Sequence, residues 1–448
     1  MRAGAVARHR RWLALTLLLF AASQAALWTA YYGRAAKKLV GDEQAYLATA
    51  LSILDGGAWM PSTIWPPLQP LWIAALYRVF GPHLIVVQIA QTVLLLGCAV
   101  LLRDLWRRLG GSVAAANTAA ALLLVNPATA AYAHWLWPEV PHLFLLLAAL
   151  CLLMRARAFA AGIAVGLALL AKSLLSPFWP AFALALAWRE RLRTAATRVG
   201  AFVLALGLCT GPALWHGWRE YGRPMIADSS VYNLWVGLTD RWRSDYVEDM
   251  GGATLPAFLA SAPTPQQRNA LYLRRVGDLV AERGVLPLAA DQLGRQYFRL
   301  FSAKTPLVSQ LPGPACAGRL SAYDVAPPFA KALAAANDAF HALLLGAAAF
   351  GIAGWRRRPD RWLVLLAAFA AYQLALFGLI HVKARFLLPL LPFLGGFAAS
   401  FLCARRERGD PRAAIVLTGP RLAAGAALAA LLLFLAFCGP WLDRLCGG

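Results

Sequence analysis

The apolar residues of this chain fall in long blocks rather than in the stripes, recurring every 3.6 residues, that mark soluble helices. The blocks lie at 12–32, 83–102, 113–133, 138–154, 159–188, 197–215, 336–354, 362–380, 386–403 and 421–441. Most match one membrane crossing, which takes roughly 20 apolar residues for a hydrocarbon core of about 30 Å. With 60% hydrophobic and only 14% charged residues, the sequence reads as an all-α polytopic membrane protein. The first block follows "RHRR" and has no small-residue cleavage site, so it reads as a retained signal anchor.

The block 159–188 is too long for one ordinary crossing and carries Lys172 in its middle. Arginines flank it on both sides: Arg155 and Arg157 before, then Arg189, Arg191, Arg193 and Arg198 after. If both clusters are cytoplasmic, the chain crosses an even number of times between them, so the block is two short helices with Lys172 at the outer turn. A lysine at the bilayer centre costs roughly 2.5 to 3.5 kcal/mol, which favours the same placement. The count becomes about eleven transmembrane helices. Short loops then assigned to the cytoplasm hold 22 of the 43 Lys and Arg residues, in "RHRR", "RDLWRR", "RAR", "RERLRTAATR", "RRRPDR" and the run from Arg405 to Arg421, with Arg2. The N-terminus is therefore expected inside, and the net charge of +22 reads mostly as the positive-inside signature, with no support for nucleic-acid binding.

Two outer segments are large, 33–81 and 216–335, giving an expected organisation of an N-terminal transmembrane module (1–215), a periplasmic loop region (216–335) and C-terminal transmembrane helices (336–448). Cys98, Cys151, Cys209, Cys403 and Cys438 fall in apolar blocks, leaving Cys316 and Cys446 outside with no demand for a bridge. In the first outer segment, Tyr46, Leu47, Ala50, Leu51 and Leu54 recur at helical spacing, as do Leu68, Leu71, Trp72, Ala75 and Val79. Both stretches read as juxtamembrane helices on the outer surface. Asp42 and Glu43 open the first of them, where an N-cap and a dipole-stabilising acid are an ordinary explanation. Glu139 admits the same reading at its own helix start. Lys172, Lys383 and Arg385 are equally consistent with snorkelling at the ends of spans.

The order of these features resembles the GT-C class of glycosyltransferases that use polyprenyl-phosphate-linked sugars, particularly bacterial relatives of protein O-mannosyltransferases and lipid A aminoarabinose transferases. "GDEQAY" is similar to the family's acidic pair after the first span, and "WPPLQPLWIAALYRVFG" to its Pro-Pro and amphipathic helix. Glu139 in "WPEVPH" resembles a second outer acid, and "GLALLAKSLLSPFWPA" a segment with a basic residue and proline. "NLWVG" (233–237) resembles a loop motif, and "HVKARFLLPLLPFLGG" an Arg-aromatic-Leu-Leu-Pro segment with Phe386 where Tyr is commoner.

The resemblance implies a catalytic set of Asp42, Glu43 and Glu139, with Lys172, His381, Lys383, Arg385, Trp65 and Tyr46 as substrate contacts. It implies an inverting transfer on the periplasmic face of a bacterial inner membrane, from a polyprenyl-phosphate-linked sugar to a glycolipid, polysaccharide or protein hydroxyl. In such chemistry the lipid phosphate leaves readily, the acceptor hydroxyl needs a base, and fixed cations stabilise the departing phosphate. Asp42 is the candidate base; Arg385 offers a planar fork and Lys172 a point charge. A divalent ion held by Asp42 or Glu43, Glu139 and a histidine, His134 or His142, has analogy with some relatives, although Pro138 and Pro141 disrupt the tight spacing of a zinc pair. No Gly-rich phosphate loop supports a soluble nucleotide-sugar donor. The alternative from another class is a lipid or solute transporter or flippase, for which paired repeats with interrupted helices are expected and none is found.

Overall fold

A computed structural model describes residues 11–25, 39, 42–60, 64–239, 255–303, 327–356, 359–404 and 414–437. The expectations placed on residues 31–38, Gly41, Pro61, Cys316, Cys438 and Cys446 lie outside the described residues. Among the described residues, four helices are long and apolar enough to cross a membrane: α4 (Leu84–Arg108), α10 (Leu192–Tyr221), the 335–354 part of α15 (Pro327–Gly354), and α18 (Gly419–Phe437). Six shorter apolar helices join them: α1 (Arg11–Ala25), α5 (Val113–Val125), α7 (Glu139–Met154), α8 (Ala158–Ala171), α16 (Arg361–Phe377) and α17 (Leu391–Cys403). The protein is an all-α multi-pass membrane protein, and among the described residues the only β pairing is an isolated bridge between Trp355 and Ile415.

The short helices have local causes. The block expected as one span over 113–133 breaks at Asn126-Pro127. Proline removes a donor and pushes its predecessor out of the helical region. Asn126 accordingly takes φ −66° and ψ 117°, and its side chain accepts from the Ala128 amide at 2.9 Å to cap α6 (Pro127–Tyr132). The block 159–188 also divides. Helix α8 stops at Lys172, a short 3-10 turn covers Ser173–Leu175, and α9 (Trp179–Ala187) follows. Nine residues of α9 rise only about 14 Å, less than half the hydrocarbon thickness. At 386–403, a 3-10 turn (Ala384–Leu387) precedes α17, whose start carries Pro392.

Both helices expected within 33–81 form, α2 (Asp42–Leu54) and α3 (Leu68–Phe80), and they pack on each other. Tyr46 and Ala50 of α2 and Ile73, Ala74 and Tyr77 of α3 enter the same buried core as α4, α5, α7 and α8. Helix α8 lies tightly against α10. A Cβ at Gly162 would stand 2.3 Å from the Phe202 carbonyl oxygen, and one at Gly166 would meet the Cys209 Cβ at 2.6 Å. Two small residues four apart let helices approach closely, as membrane helix pairs require without a hydrophobic drive between them.

Outside the core bundle, α11 (Ser230–Thr239), α12 (Leu255–Ala260) and α13 (Pro265–Arg283) form, with Ile64, a second apolar cluster of Ile64, Tyr232, Val236, Phe258 and Tyr272, and α14 (Val285–Arg295) packs on α11 and α13. "NLWVG" lies in helix α11 rather than in a loop. Its Gly237 has a packing reason: a Cβ would stand 2.7 Å from the Ile380 carbonyl carbon and 2.8 Å from the His381 amide nitrogen. Gly237→Ala is therefore expected to destabilise the fold by about 1–3 kcal/mol through overpacking. Gly200→Ala on α10, where a Cβ meets nothing within 4 Å, is expected to show no such loss in the same detergent unfolding experiment.

Candidate active site

Four of the charged residues singled out in the sequence come from four distant parts of the chain and join in one ion-pair network. Asp42 opens α2, Glu139 opens α7, Lys172 occupies the break after α8, and Arg385 lies in the 3-10 turn before α17. Arg385 Nη2 donates to Asp42 Oδ2 at 2.7 Å, and its Nε lies 3.6 Å from Glu139 Oε1. Lys172 Nζ donates to the same Glu139 oxygen at 3.0 Å. Three members are shielded, with side-chain exposures of 2% for Glu139, 12% for Lys172 and 13% for Arg385, while the Asp42 side chain is 30% exposed.

The backbone accounts for this placement. Lys172 has extended geometry, φ −149° and ψ 119°, because the helix has ended, so the side chain is free of the α8 stripe. Arg385 is held by the segment 380–383, which α11 and α14 clamp from outside. The His381 amide donates to the Asn233 carbonyl at 2.9 Å, and Gln292 Nε2 to the Ile380 carbonyl at 2.7 Å. Gln296 Nε2 in turn donates to the Gly237 carbonyl at 2.8 Å. The "NLWVG" helix and the "HVKARF" segment therefore belong to one mechanical unit.

Aromatic rings floor the cations. The Arg385 guanidinium carbon sits 4.3 Å from the Trp137 ring centre, and Lys172 Nζ sits 5.2 Å from that of Phe386. Phe386 is stacked on Phe377 at 4.9 Å. Cations over rings at such distances are attracted by the ring quadrupole, more strongly where water is excluded.

The environment of Asp42 is electrostatically one-sided. Burial by itself pushes its carboxyl upward, but the Arg385 guanidinium beside it, with Lys383 and Lys172 further off, outweighs burial and holds it below the ordinary Asp range. Tyr46, one turn on, is buried and stands edge to face with Trp65 at 6.2 Å. Glu43, although adjacent to Asp42, faces elsewhere: it is fully buried, and its Oε1 accepts from the Leu136 amide at 2.9 Å. His381 is buried at the head of the arginine-bearing segment, and Lys383 is half-buried within it.

The candidate metal ligands do not assemble. Among the described residues no three His, Cys, Asp or Glu side chains are placed to hold one ion. His134 Nε2 is instead paired with Gln24 Oε1 at 2.9 Å. Glu139 Oε1 is committed to Lys172. The divalent-ion reading thus lacks a ligand set in the residues present.

Trp137, Gln69, Gln88 and Gln91 were not singled out in the sequence. Glutamines inside apolar helices were the available signal, because polar groups at membrane depth are costly and seldom idle.

A bundle of broken apolar helices with a charged network joining α2, α7, the end of α8 and the turn before α17 has counterparts in fold among solved structures. The chain is similar to ArnT from Cupriavidus metallidurans bound to undecaprenyl phosphate, at 17% identity and a TM-score of 0.50, covering 95% of this chain and 64% of that one. It is also similar to the archaeal oligosaccharyltransferase AglB from Archaeoglobus fulgidus, in complex with an inhibitory peptide and a dolichol-phosphate, at 15% identity and a TM-score of 0.49, covering 97% of this chain and 55% of that one. The chain thus spans less than two thirds of the length of either. No protein-family model and no curated protein matches the sequence.

Proposed function

We propose that the protein is an inverting glycosyltransferase that moves a sugar from a polyprenyl-phosphate donor to an acceptor hydroxyl. The observation that carries this reading is the ion-pair network itself: a carboxylate ready to take a proton stands 2.7 Å from a guanidinium able to bind phosphate, on a GT-C fold. In the reaction, the acceptor oxygen attacks the anomeric carbon and its proton passes to Asp42. The bond from that carbon to the phosphate oxygen breaks, and the lipid phosphate leaves with the electron pair. Direct displacement inverts the anomeric centre.

The network gives the two partners complementary timing. While Arg385 holds Asp42, the carboxylate is ionised but weakly basic. A donor phosphate arriving at Arg385 and Lys172 shares their positive charge, so Asp42 gains basicity as the substrate is bound. Glu139 Oε2 is buried without a hydrogen-bond partner among the described residues and is available to a substrate hydroxyl. Fixed cations in a shielded site stabilise the charge that develops on the leaving phosphate.

The finer topology belongs to the same proposal: eleven crossings, with Ser173–Leu175 and the residues after it helping α9 across, an N-terminus inside, and the network at the periplasmic face of a bacterial inner membrane. The region 216–335 would then select a glycolipid, polysaccharide or protein acceptor. Cysteines introduced beside Asp42 and Lys172 are expected to react with an impermeant maleimide from the periplasm, and one beside Arg191 is not; cytoplasmic labelling beside Asp42 overturns the orientation.

The function is tested by mass spectrometry of periplasmic glycolipids, lipopolysaccharide and proteins from cells with and without the gene. A glycoconjugate lost on deletion and restored by the wild type, but not by Asp42→Asn, supports transfer. Unchanged glycoconjugates with a lipid or solute accumulating on one side of the membrane favour the transporter reading instead.

A further inference from the structure

The adjacent acids Asp42 and Glu43 divide two tasks. Successive helix residues point about 100° apart, so Asp42 meets Arg385 while Glu43 turns into the protein toward the loop between α6 and α7. That loop, residues 133–138, makes local turn bonds only near its ends, from the His134 amide to the Ala131 carbonyl, from the Trp135 amide to the Tyr132 carbonyl and from the His142 amide to the Pro138 carbonyl, yet it is buried throughout. Side chains of three other helices satisfy four of its carbonyls and the Leu136 amide. Gln91 Nε2 donates to the Ala133 carbonyl at 3.2 Å and also to that of Trp135, and Gln88 Nε2 to that of His134 at 2.9 Å. Gln69 Nε2 donates to the Leu136 carbonyl at 3.0 Å, and Glu43 supplies the acceptor for the Leu136 amide. All four side chains are at most 1% exposed.

Both ends of this clamp matter to the site. Trp137, the next residue after the doubly bonded Leu136, floors the Arg385 guanidinium, and Glu139 two residues later holds Lys172. Four of the five bonds above are made by glutamine donors to carbonyls, and Glu43 is the one acceptor among them. Losing it leaves a buried amide unsatisfied at the position next to Trp137, a cost that only loop movement relieves.

We propose that Glu43 is a positioning residue that fixes the 133–138 loop through the Leu136 amide, and thereby sets the Trp137 floor beneath the phosphate-binding Arg385. The role toward phosphate rests on the transferase reading; the clamp itself does not. It separates Glu43 from Asp42 by chemistry, since an acceptor can be an amide oxygen and a proton-taking base cannot.

The test compares Glu43→Gln and Glu43→Ala in the full-length protein in nanodiscs. Glu43→Gln keeps a carbonyl oxygen for Leu136 and is expected to stay within about fivefold of wild type in transfer. Glu43→Ala is expected to raise the donor KM at least tenfold with a smaller change in kcat, and to speed hydrogen exchange across residues 133–138. Combined with Trp137→Ala, it is expected to add little further loss in donor KM, as residues acting through one another do. Glu43→Gln as inactive as Asp42→Asn overturns the proposal and makes Glu43 a base. Glu43→Ala with unchanged exchange in 133–138, or with reduced folded yield but wild-type kinetics per folded molecule, overturns it as well. If the wild type transfers no sugar, the transferase reading fails separately. Exchange and the binding of a polyprenyl phosphate then decide the proposal: Glu43→Ala must loosen the loop and weaken that binding, and the absence of either overturns it.

Discussion

Asp42→Asn is expected to lower the transfer rate by roughly 100- to 10,000-fold, the usual loss for a positioned base, while donor binding changes little. The amide keeps the shape of the carboxylate and can still accept from Arg385 through its oxygen, but it cannot take the acceptor's proton. The same residue sets a pH signature. Arg385, Lys383 and Lys172 hold the Asp42 carboxyl below its ordinary range, so the base stays ionised as pH falls through the usual Asp value. It is lost only when pH drops through the depressed one. The acid limb of kcat/KM, which reports the free enzyme, is therefore expected below the ordinary Asp value in the wild type. It is expected to move upward when Arg385 is neutralised, because removing the guanidinium leaves burial to act with less opposition. Asp42→Asn retaining activity within a few-fold removes Asp42 from the chemistry and passes the role to Glu139.

Arg385→Lys is expected to insert normally and to lose about ten- to a hundredfold in donor kcat/KM, with Arg385→Ala lower still. Charge-assisted contacts contribute roughly 1.5–3 kcal/mol each, and a guanidinium makes them in a fixed planar fork that an ammonium cannot reproduce. The structure adds a second reason. Arg385 reaches Asp42 and Glu139 from different nitrogens while lying over Trp137, and a lysine, with a single nitrogen and no planar group, cannot reproduce that spread and stacking. A snorkelling arginine behaves otherwise, since lysine reaches the interface equally well. Wild-type kinetics for Arg385→Lys in nanodiscs, with donor varied at saturating acceptor, exclude Arg385 from the phosphate site and leave Lys172 as its main contact.

The break at Lys172 shows how much a charge pattern can determine. Clusters of arginine on both sides of an overlong apolar block require an even number of crossings under the positive-inside rule, and the helix does stop there. The two helices within 33–81 were legible because helical periodicity is carried by neighbours in sequence. The break at Asn126-Pro127 was also local, yet hydropathy averaged over the block 113–133 hid it beneath a uniform apolar signal.

By itself the sequence determined that the chain is helical and membrane-embedded, where its apolar blocks lie, and which few polar residues are too costly to be idle among them. Those are properties of composition and of short windows, because burial in a bilayer is set by the run of side chains a segment presents. Only the tertiary structure decided the pairings: Asp42 with Arg385 across 343 residues, Glu43 with Leu136 across 93, and Gly237 against Ile380 and His381. Two adjacent carboxylates are nearly equivalent in sequence and in local helical geometry. They part company because the helix surface aims one at a guanidinium and the other at a buried amide, and only the packed neighbours supply those partners.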